Sequence, residues 1–160
     1  MSKEVVAQDQ GRLYLSVISE FAVDLLKMNS VEQIVWHTAK NVVARLGFED
    51  IVIYLFDPHT KRLVPKATYG EKNPSEHTKF EPMEIELGTG IVGRAAITKR
   101  PIVIDDTRQY YDYIVDDKPR LSELAVPMVV DGKLIGVIDS EHPDVAFYSQ
   151  EQLDIVITIA

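Results

Sequence analysis

LSELAVPMVVDGKLIGVIDSE, residues 121–141, reads as two apolar strands joined at Asp131-Gly132. Asp-Gly is among the strongest short-range hairpin signals, because both central residues of the favoured turn take positive φ. Glu123 lies near the start of the first strand, and Asp139 and Glu141 lie at the end of the second. The hairpin therefore brings three acids to one end of an otherwise apolar ribbon. Carboxylates beside a core are costly unless something pairs with them, so they mark either a ligand site or a structural anchor. One residue of register decides their faces. A strict two-residue turn pairs Val130 with Lys133 and Leu124 with Asp139, which sets Glu123 on the face opposite Asp139 and Glu141. One extra residue in the loop, or a bulge near Pro127, reverses that parity and gathers all three. In the structural alternative, Glu123 and Glu141 bind backbone amides or a basic residue such as Arg94 or Arg120.

Upstream of the ribbon, apolar residues over 10–28 recur at helical spacing: Leu13, Val17, Phe21 and Leu25, widened by Tyr14, Ile18, Ala22 and Leu26. This helix is expected to pack one face on a sheet, and its extra width suits contact with a partner subunit. Ser30-x-x-Gln33 fits a capping box that starts a second helix, which ends at Gly47. Trp36 and His37 lie on that helix, where His37 is expected to be an ordinary surface histidine. Residues 51–56 and 63–69 predict two strands around the Asp57-Pro58 turn, 71–80 a polar loop able to cover a site, and 83–87 a short strand. Gly88, Gly90 and Gly93 spell GxGxxG, but the strand before them is short, half polar and late in the chain, unlike a dinucleotide fingerprint. They predict a tight entry into a short helix over 91–98, whose free amides can also receive an anionic group near Ile91 and Val92. A strand at 101–104 follows.

Residues 107–119, TRQYYDYIVDDKP, interleave Tyr110, Tyr111 and Tyr113 with aspartates. The acids lack the spacing of a calcium loop, and no metal is expected. Rings with a polar tip suit the wall of a small-molecule pocket. After the hairpin, Ser149-x-x-Gln152 caps a last helix from about 149, which runs to Ala160 with no stop signal. The expectation is one domain over 1–160, with its last helix leading into a downstream output domain.

The whole-chain totals bound the function. At 160 residues, 46% hydrophobic and 26% charged, the chain suits one ordinary globular core. A formal net charge of −8 with no basic cluster argues against nucleic acid or an anionic membrane as partner. There is no cysteine, which removes disulfides, thiolate metal sites and thiol nucleophiles together. No apolar run reaches a membrane span, and a cytoplasmic location is expected.

Several motifs carry a resemblance when taken in order: Gly88-x-Gly90-Ile91-Val92-Gly93-x-Ala95-Ala96, Pro101-Ile-Val-Ile-x-Asp106, Ser122-Glu123-Leu-Ala-Val-Pro127, and Ile135-Gly136-Val137-Ile138-Asp139-Ser140-Glu141 with Phe147 and Leu153. Across essentially the whole chain this pattern resembles the GAF domain, a relative of the PAS fold. The resemblance implies an α+β architecture: an antiparallel sheet of about six strands, terminal helices on one face and a ligand pocket on the other. It also implies a sensory or regulatory input domain, such as those of histidine kinases and two-component systems, that binds a small molecule and signals through its terminal helices, by which such domains often form homodimers.

Ser122, Glu123, Pro127, Gly136, Val137, Asp139 and Glu141 are similar to the signature of free methionine-R-sulfoxide reductases, in which acids hold the substrate and cysteines reduce it. Val92 and, approximately, Val115 stand in the cysteine neighbourhoods, so that thiol chemistry has no residue to run on. The acids remain able to hold an ammonium. Cyclic-nucleotide and bilin-binding patterns are not present. The expectation is a non-enzymatic domain without cofactor, binding its ligand through Glu123, Asp139, Glu141, Tyr110, Tyr111, Tyr113, Ile91 and Val92. The alternatives are a ligand-free dimerisation module, marked by a cavity filled with its own side chains, and a thiol-free relative of the reductases.

Overall fold

The protein is described by a computed structural model that covers residues 3–70 and 83–160. The polar segment 71–80, expected to be a loop over the site, lies outside the described residues.

β-Branched and aromatic runs form the six strands β1 (Asp50–Asp57), β2 (Arg62–Gly70), β3 (Ile85–Glu86), β4 (Ile102–Ile104), β5 (Ser122–Val130) and β6 (Lys133–His142). They make one antiparallel sheet in the order β3-β2-β1-β6-β5-β4. The helices are α1 (Lys3–Leu25), α2 (Val31–Leu46), α3 (Gly90–Thr98) and α4 (Gln150–Ile159). The α+β architecture expected from the sequence is therefore observed, with the β5–β6 ribbon near its centre.

Each sheet face carries its own core, because side chains alternate along a strand. Ile51, Ile53, Leu124, Val126 and Ile138 point to the face covered by α2 and α4, where they meet Val35, Ala39, Val42 and Val156. Val52, Tyr54, Ala125 and Val137 point the other way, onto Ile91, Val92, Ala95 and Ala96 of α3. Gly93 lets α3 approach closely, since a Cβ there would stand 2.5 Å from the Glu86 carbonyl oxygen.

Helix ends follow the chemistry read in the sequence. Ser30 accepts from the Gln33 amide, while the Gln33 side chain reaches back one residue further than a strict box, to the Asn29 amide. Gly47 ends α2 in the left-handed region at φ 68°. Ser149 and Gln152 form the full reciprocal box.

Three expectations are corrected. α1 spans Lys3–Leu25 instead of 10–28, because the polar but helix-favouring residues before 10 extend it and i→i+3 turn bonds from Leu25 and Asp24 close it. α1 also packs on α2 and α4 as a second layer, through Tyr14 on Thr158 at 2.8 Å and an ion pair between Arg45 and Glu20, instead of lying on the sheet. The strand expected at 83–87 contracts to two residues, since only Ile85 and Glu86 find partners on β2.

Candidate functional site

The geometry of the three acids is settled by a bulge. Asp131 and Gly132, at φ 49° and 73°, make the two-residue turn, so Val130 pairs with Lys133 and Val129 with Leu134. Met128 then pairs with Gly136, which leaves Ile135 without a counterpart. From there Ala125 faces Asp139 and Glu123 faces Glu141. The shift of one residue places Glu123, Asp139 and Glu141 on one face of the sheet, the face covered by α3.

All three are buried, at 5%, 5% and 3% exposure. They line a cavity of about 30 Å3, room for a water-sized occupant and little more. Its opposite wall is the start of α3, with Thr89, Gly90, Ile91 and Val92, and its remaining sides are Tyr54, Met83 and Ile85 and, from the loop after β4, Ile114 and Asp116. Thr89, the residue before α3, makes no side-chain hydrogen bond to the helix start. The first amides of a helix have no partner within the helix and carry its positive dipole end. The cavity thus has carboxylates on one wall and the start of a helix on the other.

Behind the acids lies a buried ion pair. Asp50 and Arg120 have fully buried side chains, with Arg120 Nη2 donating to Asp50 Oδ2 at 3.4 Å. Arg120 Nη1 also donates to Asp117 at 3.2 Å. Burial works against the Arg120 charge, yet Asp50 and Asp117 outweigh it and raise its pKa. The other Asp50 oxygen, Oδ1, accepts from the Glu141 amide at 3.0 Å. Tyr113 joins the two parts: its hydroxyl donates to Glu141 Oε1 at 2.7 Å and accepts from the Arg120 amide at 2.8 Å. Burial, and then the charge of Glu141, push the Tyr113 phenol far above its ordinary value, so it stays a donor.

The sequence-predicted residues are thus placed as follows. Glu123, Asp139, Glu141, Ile91 and Val92 line the cavity. Tyr113 stands behind Glu141 as its hydrogen-bond partner. Tyr110 and Tyr111 are exposed, Tyr111 completely, and neither is among the lining residues. Arg94, weighed as a partner for the acids, instead pairs with Asp112 at 3.3 Å on the surface.

Sequence reasoning missed Asp50, which an acid at the head of an apolar strand did not reveal, and Asp116, read as part of a solvated loop. The available signal for Asp50 was the single arginine, Arg120, directly before the ribbon. Among the described residues, one group has the spacing of a metal site: Asp116, Asp117 and Glu141 each bring a carboxylate oxygen within 4.8 Å of the others. Arg120 and Tyr113 already engage two of that group.

An antiparallel sheet with α3 and an acid-lined cavity on one face, and terminal helices on the other, defines a domain of the GAF architecture. The chain belongs to the GAF domain family, whose pattern it matches over residues 29–160. It is 27% identical over 119 residues to free methionine-R-sulfoxide reductase of Saccharomyces cerevisiae, covering 73% of this chain and 61% of that protein. The chain thus spans less than two thirds of that relative's length. Among solved structures, it resembles free methionine-R-sulfoxide reductase from Neisseria meningitidis in complex with its substrate, with a TM-score of 0.80, 21% identity and coverage of 91% of this chain and 83% of that one. It resembles equally the GAF domain of a phosphoenolpyruvate-protein phosphotransferase from Coxiella burnetii, with a TM-score of 0.80, 17% identity and coverage of 91% and 87%. At those identities the two structures establish the fold.

The expectation that the chain is not an enzyme is overturned by the reductase matches. The yeast relative, matched over 73% of this chain, is an enzyme, and reductases recur among the structural neighbours. The inference from missing cysteines concerned how electrons are supplied, and it did not bear on whether the substrate site is kept.

Proposed function

We propose that the cavity binds a free amino acid of the methionine sulfoxide class as its zwitterion. The observation that carries this reading is the bulge at Ile135, which converges Glu123, Asp139 and Glu141 on the cavity. An ammonium pairs with carboxylates in a closed site, while the amides of Ile91 and Val92 suit the ligand carboxylate. The cavity as it stands is smaller than an amino acid, so binding requires lining side chains such as that of Ile114 to swing aside while the backbone that carries them stays in place.

As an enzyme of this class, the chain supplies the binding and orientation, and an external dithiol supplies the electrons, since the chain has no cysteine. One thiolate attacks the sulfoxide sulfur, the S–O bond breaks and the oxygen leaves as water after taking two protons. The second thiol, losing its proton, attacks the first sulfur, whose bond to the methionine sulfur breaks to release methionine and leave the disulfide, so the sulfoxide gains two electrons and the dithiol loses them. The test is methionine release from L-methionine-R-sulfoxide in the presence of dithiothreitol, beside a thermal-shift screen of amino acids, nucleotides and amines. Turnover, or a shift by the sulfoxide that Glu123→Gln and Asp139→Asn abolish, is expected. A shift that survives both substitutions contradicts the site.

A second reading, a sensory domain that signals through its terminal helices and pairs with a second copy there, is favoured by apolar surface on those helices. Leu15, Val23 and Leu26 of α1 and the turn after it, and Ile157 of α4, are exposed. Among the described residues no helix is long and apolar enough to cross a membrane.

A further inference from the structure

We infer that Tyr113 and Arg120 are the positioning pair of this site, holding Glu141 at the angle at which it meets a ligand ammonium and fastening the cavity's loop wall to the sheet. The inference rests on the reading of the cavity as an ammonium site.

The loop after β4 contributes Ile114 and Asp116 to the cavity wall. A loop is a poor support for a ligand contact unless something fixes it to the rigid sheet. Three bonds do so. Arg120, at the end of the loop and 1% exposed, reaches Asp50 at the head of β1, so the loop's base is anchored on the central strands. Its Nη1 turns back to Asp117, within the loop. Its backbone amide donates to the Tyr113 hydroxyl, which has one proton and spends it on Glu141 Oε1. The Glu141 backbone amide in turn donates to Asp50. Asp50, Arg120, Tyr113 and Glu141 therefore form a closed ring across β1, the loop and β6.

Closure of this ring fixes the Glu141 carboxylate from one side. With Oε1 held by the phenol, rotation about the last side-chain bond is restricted. A carboxylate fixed before the ligand arrives loses less freedom on binding than one that must be ordered by it. Arg120 acts on Glu141 through Tyr113 and Asp50, its own guanidinium being turned to Asp50 and Asp117.

The experiment compares wild type with Tyr113→Phe, which removes one hydroxyl and keeps the ring. Two readouts are taken. In the first, binding of L-methionine-R-sulfoxide is measured by calorimetry in wild type, Tyr113→Phe, Glu141→Gln and the double variant. Tyr113→Phe is expected to weaken binding about tenfold, the effect of one charge-assisted hydrogen bond, and to have no further effect once Glu141 is Gln. In the second, the Glu141 carboxyl is titrated by carbon-13 NMR without ligand, and Tyr113→Phe, which removes the hydrogen bond to its charged form, is expected to raise its apparent pKa. If wild type binds the amino acid and Tyr113→Phe binds it equally well, the positioning role is overturned and the site reading stands. If wild type does not bind it, the site reading fails, and an unchanged Glu141 titration overturns the positioning role as well.

Discussion

Gly136 and Gly132 play different parts, although both are glycines of one hairpin. At Gly136 a Cβ would stand 2.0 Å from the Tyr54 carbonyl oxygen and 2.6 Å from the Met128 methyl, so β6 can cross β1 only without a side chain. At Gly132 nothing lies within 4 Å, and only the positive φ of 73° disfavours another residue. Gly136→Ala should therefore cost about 3 kcal/mol, the upper end for overpacking, and Gly132→Ala about 1 kcal/mol. Urea denaturation of the two variants measures the difference, and equal losses would mean that β6 is not held against β1 as described. His142 offers a test by pH. Its ring stacks on Phe147 with centroids 3.5 Å apart, Nδ1 accepts from the Asp144 amide at 3.1 Å, and burial lowers its pKa despite the nearby Asp144. The unfolded chain then takes up a proton near pH 6.5 while the folded imidazole stays neutral. Stability from this group is complete above about pH 6.5 and is lost as pH falls below it. A urea midpoint that drops between pH 7.5 and 5.5 is expected, with a smaller drop in His142→Gln.

Among the elements, the start of α4 joins local and tertiary structure. Gln152 completes the capping box through the Ser149 amide, and its Nε2 also donates to the Leu46 carbonyl at the end of α2 at 3.0 Å. Gln152→Ala removes both bonds and should cost about 1–2 kcal/mol, more than Ser149→Ala at about 1 kcal/mol. Thermal unfolding of the two variants distinguishes them, and equal losses would discount the α2 contact. This element shows what a sequence can carry. Ser149-x-x-Gln152, Ser30 and Gly47 were legible because caps depend on residues a few positions apart. The Asp131-Gly132 turn was legible for the same reason. The bulge at Ile135 was open in the sequence, since two registers satisfied the apolar pattern equally well. What selects the observed one is tertiary: Asp139 pairs with Val52 and Ile138 with Ile53 on β1, which seats Ile138 in the α2 and α4 core and Asp139 on the α3 face. The Asp50–Arg120 pair was hidden for the same reason, because its partners are 70 residues apart.

For the whole molecule, the two faces of the sheet divide the work. One face is sealed by α2 and α4 with α1 outside them, and the other holds the cavity under α3. The apolar residues left on the outer layer predict self-association there. Leu26, 86% exposed, is the most open of the four. If the terminal helices pair with a second copy, light scattering after size exclusion should give a dimer mass for wild type and a monomer mass for Leu15→Glu/Leu26→Glu. A monomer mass for wild type at high concentration would remove that interface. The proposed ligand site depends on one residue of register, which gathers the three acids on the cavity. Its most direct test is calorimetric titration of L-methionine-R-sulfoxide into wild type and into Glu123→Gln. The account predicts saturable one-to-one binding to wild type and a loss of at least about tenfold in the variant, as expected for one charged contact. Binding that is the same in both proteins would contradict it.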